Sequence, residues 1–220
     1  KGHIYALLAG TAGIGNTAVT GDVLDRMPEI SPETKDAAHP FGIAAAHYTL
    51  SANLGYDHES ATAGHLPQSL IPSGIVPDAL TGPAWPAIYT ALGSVYVGET
   101  PIIEGLLNAV HLDHSVELLV SDAQLQGHYG QRIDLKSWAE DFQESSAGRV
   151  VTIHVEHAGQ DGTVLAHETE RFAIRGRVYS SQLPADAPDY GGIKAGIRPA
   201  ARRLLRRVTV QAPDNMTAFA

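Results

Sequence analysis

One uncharged helical segment followed by four strand-like segments constrains the fold of this chain more than any other feature. Residues 83–93 carry apolar side chains at i, i+3, i+4 and i+7, namely Trp85, Ile88, Tyr89 and Leu92. This spacing predicts a short buried helix. Residues 106–120 then alternate apolar and polar side chains, which predicts a half-buried antiparallel strand. Further strands are predicted at residues 131–144, 150–157 and 163–175.

These strands are predicted to form an antiparallel meander that curves around the helix. The turns at residues 145–148 and 158–162 each carry a glycine, as hairpin turns with positive φ require. In the last strand the alternation of inward and outward side chains changes near Glu168, because Val164 and Leu165 are adjacent apolar residues that cannot both face inward in a regular strand. We therefore expect a bulge there. The predicted fold class is therefore α+β in the hotdog architecture, a buried helix wrapped by a curved antiparallel sheet, with an N-terminal helical flanking segment.

Proline and glycine divide the rest of the chain into smaller pieces. An alanine-rich stretch at residues 41–54 places Phe41, Ala45, Tyr48 and Ala52 on one helical stripe, which predicts a helix. The predicted organisation is a flanking segment and linker at 1–40, a helix with a long loop at 41–78, the hotdog domain at 79–180, and a linker leading into a following domain at 181–220.

Composition excludes several classes of function. A net charge of -9 over 220 residues argues against nucleic acid and anionic membranes as partners, because both require a basic surface. The absence of cysteine excludes disulfides and thiolate metal sites and fits a reducing, cytoplasmic location. No apolar run approaches the roughly 20 residues of a membrane-spanning helix. Because the chain starts at Lys1 without methionine, we expect it to be a piece of a larger protein.

Two segments suggest ligand binding, and each has a simpler interpretation. Gly10, Gly13 and Gly15 follow a strand-like segment, but their G-x-x-G-x-G spacing differs from the G-x-G-x-x-G of dinucleotide sites. We therefore favour a tight strand-to-helix connection and predict no cofactor. Residues 198–207 contain five arginines, which could bind a phosphate, nucleic acid or a carrier's phosphopantetheine. A solvated strand edge or an interface within a larger assembly is the favoured interpretation.

The histidines suggest a metal site, but their spacing argues against one. His111 and His114, like His154 and His157, form H-x-x-H pairs within predicted strands. A separation of three residues on a regular strand places the two rings on opposite faces. His58 and His65 lie in the predicted long loop with only Asp57 and Glu59 close in sequence. No metal site is predicted.

Acidic residues beside the histidines are candidate acid–base groups. Asp113 lies beside His111 and His114, while Glu168 and Glu170 follow closely after His167 in sequence. An antiparallel strand exposes its polar face to water, which explains these residues without catalysis. There is no G-x-S-x-G motif and no cysteine nucleophile, so no catalytic residue is assigned.

Three stretches, in order, resemble the dehydratase region of the type I multifunctional fatty acid synthases of fungi and actinobacteria. They are residues 77–94 (PDALTGPAWPAIYTALGS), 104–114 (EGLLNAVHLDH) and 170–176 (ERFAIRG). Residues 6–14 and 21–26 are similar to the segment that follows the enoyl reductase in those synthases. Residues 206–219 are similar to the start of the next, MaoC-like hotdog. The resemblance covers nearly the whole chain and is weakest over residues 56–73.

The resemblance implies part of a 3-hydroxyacyl-[acyl-carrier-protein] dehydratase. In that family the working Asp and His lie in a D-x-N-P-x-H motif that this sequence lacks, so the chain is expected to be an upstream, non-catalytic hotdog repeat that is inactive alone. Trp85, Ile88 and Tyr89 are the candidate substrate-binding residues, as walls of an acyl tunnel. The implied partners are the rest of the synthase, within a large homo-oligomer, and acyl carrier protein. The alternatives are a scaffold for neighbouring catalytic domains, ordinary core roles for these three side chains, or a nicotinamide oxidoreductase at Gly10–Gly15.

Overall fold

A computed structural model describes residues 27–55, 76–103, 105, 109–146, 148–174, 207 and 209. Several predicted features lie outside these residues: the helical flanking segment and its glycine-rich turn within residues 1–26, the loop at 56–75, the linker at 181–197, and nearly all of the arginine-rich segment at 198–207. His58 and His65 lie outside them as well.

Most of the described chain folds into one antiparallel sheet with a central helix. The strands are β1 (Ile30–Ser31), β2 (Ile43–Thr49), β3 (Tyr96–Val97), β4 (Thr100–Pro101), β5 (Ala109–Leu118), β6 (Arg132–Ala139), β7 (Gln143–Ser145), β8 (Gly148–Gly159) and β9 (Val164–Ile174). The α-helices are α1 (Thr81–Gly93) and α2 (Asp122–Gln126), and two 3₁₀ turns are Pro32–Thr34 and Pro77–Leu80. The strand order in the main sheet is β1-β2-β6-β8-β9-β5, with β7 paired to β8, while β3 and β4 form a separate hairpin.

Helix α1 is the central helix that the sequence predicts. It packs against β2, β6 and β8, and Ile88 and Leu92 are completely buried. Full burial of one such side chain contributes about 1.5–3 kcal/mol. Ala84, Ala87 and Ala91 are also fully buried, and their small side chains allow the helix to lie close to the sheet. An antiparallel sheet with one central helix confirms the predicted α+β, hotdog architecture.

The predicted helix at residues 41–54 is wrong, because its centre is strand β2. Ala44 and Tyr48 are buried on the side of the sheet that faces α1, and the strand pairs antiparallel with β6 from Ala44 opposite Ser137 to Thr49 opposite Arg132. Alanine favours helices in isolation, but packing in the tertiary structure overrides that preference. The sheet thus crosses the boundary that the sequence places between residues 41–78 and 79–180.

The sheet also differs from a simple meander in the position of β5. This strand pairs with β9 rather than with β6, which follows it in sequence. The turns between β7, β8 and β9 agree with the prediction, since Gly148 and Gly162 have φ values of 124° and 82°. In the part of the chain that the structure describes, β5 therefore forms one edge of the sheet.

Two bulges change which side chains face the helix. Opposite β8, the pairing jumps from His157–Ala166 to Ala158–Val164, so Leu165 is the extra residue. The predicted bulge near Glu168 is therefore displaced by three residues. Between β5 and β9, the pairing jumps from His111–Phe172 to Asp113–Arg171, which makes Leu112 extra. A bulge shifts the alternation of side chains by one position.

Candidate acid–base site

The bulge at Leu165 turns two carboxyl groups of β9 into the protein. Glu168 and Glu170 are 1% and 0% exposed, whereas His167, which directly precedes them, is exposed. The sequence-based interpretation that these acids face water is therefore wrong. It assigned the polar residues of the strand to the water-facing side, whereas the extra residue at Leu165 turns the side that carries both acids toward the core. A buried carboxyl group requires a partner, and at least one histidine lies near each acid.

The bulge at Leu112 places His111 and His114 on the same face of β5. Their ring centroids are 5.9 Å apart, and both rings approach the buried carboxyl group of Glu170. His111 Nε2 lies 2.5 Å from Glu170 Oε2, and His114 Nδ1 lies 3.5 Å from Glu170 Oε1. The argument that a separation of three residues keeps the rings on opposite faces is thus wrong for this pair. It holds for the other pair, since His157 is buried and His154 contacts the exposed Glu140 on the opposite face.

A third histidine, which is buried, extends the cluster into the core. His157 Nε2 lies 3.2 Å from Glu168 Oε2, and its Nδ1 lies 3.2 Å from the Tyr48 hydroxyl. Histidine, glutamate and tyrosine are all nearly inaccessible to solvent. If the phenol donates to Nδ1, the neutral ring is left with its proton on Nε2, which then donates to the carboxylate. One oxygen of Glu168 is thus paired with His157, while Oε1 has no hydrogen-bond partner among the described residues.

The two neighbouring carboxyl groups differ in their affinity for a proton. Burial alone would raise the pKa of Glu168, but the hydrogen bond and charge of His157 outweigh it and lower this pKa. Burial raises the pKa of Glu170, with a further rise from the adjacent Glu168 and opposition from His111. In turn, the contact with Glu170 raises the pKa of His111. Two adjacent carboxyl groups do not ionise equally, so Glu170, whose pKa is raised to about 7, holds a proton more tightly than Glu168.

The histidines differ in which ring nitrogens remain available. His111 contacts Glu170 through Nε2, and the backbone of Asp113 contributes to the raised pKa of its ring. His114 turns Nδ1 to Glu170, while its Nε2 lies 3.6 Å from Asp78 Oδ1. Since the Asp78 side chain is 55% exposed, His114 Nε2 lies on the solvent side of the cluster. A histidine with one ring nitrogen beside a carboxyl group and the other ring nitrogen toward solvent is suited to proton transfer.

Aromatic side chains form a wall beside the histidines. The Trp85 and Tyr89 rings stack with centroids 5.0 Å apart, and Phe172 stacks on His111 at 4.8 Å. Trp85 also meets the ring of His111 edge-on at 6.0 Å. The structure thus brings two of the three candidate substrate-binding residues, Trp85 and Tyr89, to the site in half-buried positions. Ile88 lies in the core with 0% exposure.

The predicted acid beside the histidines has another partner. Asp113 forms a bidentate pair with Arg171 of the neighbouring strand, with Nε 2.6 Å from Oδ1 and Nη2 in contact with Oδ2. The hydrogen bonds from Arg171 lower the pKa of Asp113. This pair flanks the cluster, and Asp113 has no described contact that would make it a base for a substrate.

Sequence reasoning missed the buried half of the site, namely Tyr48, His157, Glu168 and Glu170 as one network. The signal that could have found it was the pair of adjacent apolar residues Val164 and Leu165, which interrupts the alternation of the strand and predicts the bulge. Had the extra residue been placed at Leu165 rather than near Glu168, both acids would have been assigned to the inner face. No comparable sequence signal marks Leu112.

Similar folds occur among solved structures. The E. coli PaaI protein of the phenylacetic acid degradation operon is 14% identical, with 78% of this chain and 93% of that chain covered at a TM-score of 0.41. A hypothetical thioesterase with coenzyme A from Streptococcus pneumoniae is 10% identical. The match covers 77% of this chain and 98% of that chain at a TM-score of 0.40. The HadBC (3R-hydroxyacyl-ACP dehydratase) complex from Mycobacterium tuberculosis is 10% identical. The match covers 59% of this chain and 93% of that chain at a TM-score of 0.42.

No protein-family model and no curated protein sequence matches the chain. At the identities and TM-scores of the solved structures, likeness carries no inference about activity, so function has to be argued from the chain's own residues. Among the described residues, none of the helices combines the length and apolar character needed to cross a lipid bilayer.

Proposed function

We propose that this chain acts on 3-hydroxyacyl thioesters, as part of the dehydratase region of a type I fatty acid synthase. The observation that carries the proposal is the position of His114, whose Nδ1 lies 3.5 Å from the buried Glu170 while its Nε2 lies on the solvent side. The aromatic wall of Trp85 and Tyr89 lies beside this cluster, where an apolar acyl chain would be bound. Membership of the synthase is supported by the three ordered sequence resemblances.

The reaction needs one group that accepts and returns a proton. Neutral His114 takes the α-proton of the thioester through Nε2, the bond from the β-carbon to the hydroxyl group breaks, and the imidazolium gives its proton to the departing oxygen. The products are an enoyl thioester and water, and the histidine is restored. Glu170 is a positioning residue because it is buried and touches substrate only through the ring. General acid–base groups of this kind contribute about 10²–10⁴-fold in rate.

A non-catalytic role is the second candidate. The sequence lacks the D-x-N-P-x-H motif of the resembling family, which favours a repeat that supports the acyl chain or holds neighbouring domains. Acyl carrier protein and the rest of a large homo-oligomeric synthase are then its proposed partners. Ile88 as a tunnel wall also remains a prediction, because its present position is in the core.

An assay of crotonyl-thioester hydration, measured as the loss of the enoyl absorbance, separates the catalytic role from the non-catalytic role. We expect the chain to catalyse hydration and H114Q to reduce kcat/KM by about 10²-fold or more. The matched control is H154Q, which removes a histidine from the opposite face of the sheet, where it pairs with Glu140 at 2.8 Å. The control should retain full activity. W85A should raise KM for longer acyl chains more than for crotonyl.

The same variants should be placed in a longer chain that includes the following domain. If H114Q leaves hydration unchanged there, while W85A or Y89A disrupts assembly, the scaffold role is correct and the acid–base assignment is wrong. Sequence beyond residue 220 in the parent protein gives an independent check, since a D-x-N-P-x-H motif shortly after it would support membership of the synthase.

A further inference from the structure

His111, His114 and Glu170 have the composition and spacing of a metal site. Their ligand atoms all lie within 4.8 Å of one another. Two imidazoles and one carboxylate are a ligand set that binds Zn²⁺ and related divalent transition metals with an open coordination position. We propose that these three residues bind a divalent transition-metal ion, with Zn²⁺ as the reference case. The inference rests on ligand geometry and does not require the proposed hydration activity.

The buried carboxyl group is the strongest reason to expect a cation. Glu170 is 0% exposed, and among the described residues neither of its oxygens has a partner with hydrogen-bond geometry. Its 2.5 Å contact with His111 therefore lacks the alignment of a good hydrogen bond. A buried, incompletely satisfied carboxylate is costly. A bound cation would supply the missing partner for both oxygens.

One ring nitrogen that faces away from the carboxyl group has an outer partner. His114 Nε2 lies 3.6 Å from Asp78 Oδ1. Histidines that bind metals use their second nitrogen in this way, which fixes the ring orientation. Behind Glu170, the network of Glu168, His157 and Tyr48 holds the carboxyl side of the cluster. Two glutamates in contact would also balance the charge of a divalent ion.

Only small movements are needed to complete the coordination. Zinc bonds of about 2.0–2.2 Å separate tetrahedral ligands by roughly 3.4 Å, close to the 3.5 Å between His114 Nδ1 and Glu170 Oε1. The 2.5 Å contact of His111 must open by about 1 Å to reach that spacing. The side chain of His111 is 38% exposed, so its ring has room to rotate. Solvent exposure of both histidines also provides a path for the ion to enter.

Metal binding is tested on the 220-residue chain after it has been stripped with EDTA. We expect about one Zn²⁺ per chain by mass spectrometry of dialysed protein and a visible absorption band with Co²⁺, typical of a site with few ligands. Zn²⁺ should also raise Tm, because it binds the folded state. H111Q and H114Q should each weaken binding by more than about 100-fold, beyond the effect of outer partners. D78N should weaken it by about 10-fold, at the lower end for an outer partner.

Two controls isolate the site. H154Q removes an equally accessible histidine that is not in the cluster, and H58Q/H65Q removes a pair that lies outside the described residues. Both should bind zinc as the parent chain does. The proposal is overturned if the parent chain retains no zinc, or if H111Q and H114Q bind it unchanged, or if H154Q loses it equally. Hydration is assayed on the EDTA-stripped proteins, because zinc on His114 Nδ1 would leave the ring proton on Nε2. Metal binding without hydration by the stripped chain would then refute only the proposed function.

Discussion

The substitution Ile88→Ala tests whether α1 is the centre of the fold. Ile88 is 0% exposed and belongs to the main hydrophobic cluster of the sheet and helix. Replacement of a buried isoleucine by alanine costs about 2–5 kcal/mol, depending on how far the surroundings collapse into the cavity. Here the neighbouring strands β2, β6 and β8 are held by their hydrogen-bonded ladders. We therefore expect the upper half of that range, about 3–5 kcal/mol.

Urea unfolding measures this loss as a lower midpoint with an unchanged slope. In thermal unfolding, each kcal/mol corresponds to about 2–4 °C for a chain of this size, so Tm should fall by about 6–20 °C. Val110→Ala is the control, because Val110 is 40% exposed on β5 and should change stability by no more than about 0.5 kcal/mol. A loss below about 1 kcal/mol for Ile88→Ala would refute the central position of α1. An altered acyl-length preference at full stability would instead support Ile88 as a tunnel wall.

Two further predictions concern the ion pairs. His157→Ala should destabilise the fold by about 3–5 kcal/mol, because it leaves buried Glu168 without its main partner. His154→Ala on the same strand should cost at most about 1 kcal/mol, since its partner Glu140 is 50% exposed. Equal losses in urea unfolding would contradict the buried network. Because Arg171 lowers the pKa of Asp113, their pair stabilises the fold above the ordinary pKa of 3.8, and this contribution is lost as the pH falls through the lower, folded value. Asp113→Asn should therefore reduce the drop in unfolding free energy between pH 7 and about pH 3, and an unchanged drop would show that Asp113 does not report on acid unfolding.

Local patterns in the sequence determined the central helix and the strands around it. The i, i+3, i+4 and i+7 spacing of Trp85, Ile88, Tyr89 and Leu92 corresponds to α1, and the alternation in residues 150–157 corresponds to the inner and outer faces of β8. Both patterns follow from the periods of helices and strands, which act over a few residues. The positive φ of Gly148 and Gly162 is local for the same reason.

Strand order and register depended on partners far along the chain. Alanine-rich β2 became a strand only because β6 pairs with it and α1 packs on it, and β5 moved to the edge because β9 pairs with it. The extra residues Leu112 and Leu165 are defined by those pairings. One shifted residue reverses every side chain that follows. The candidate site, with Glu170 buried between His111 and His114, was therefore decided by tertiary structure, although the sequence supplied each of its side chains.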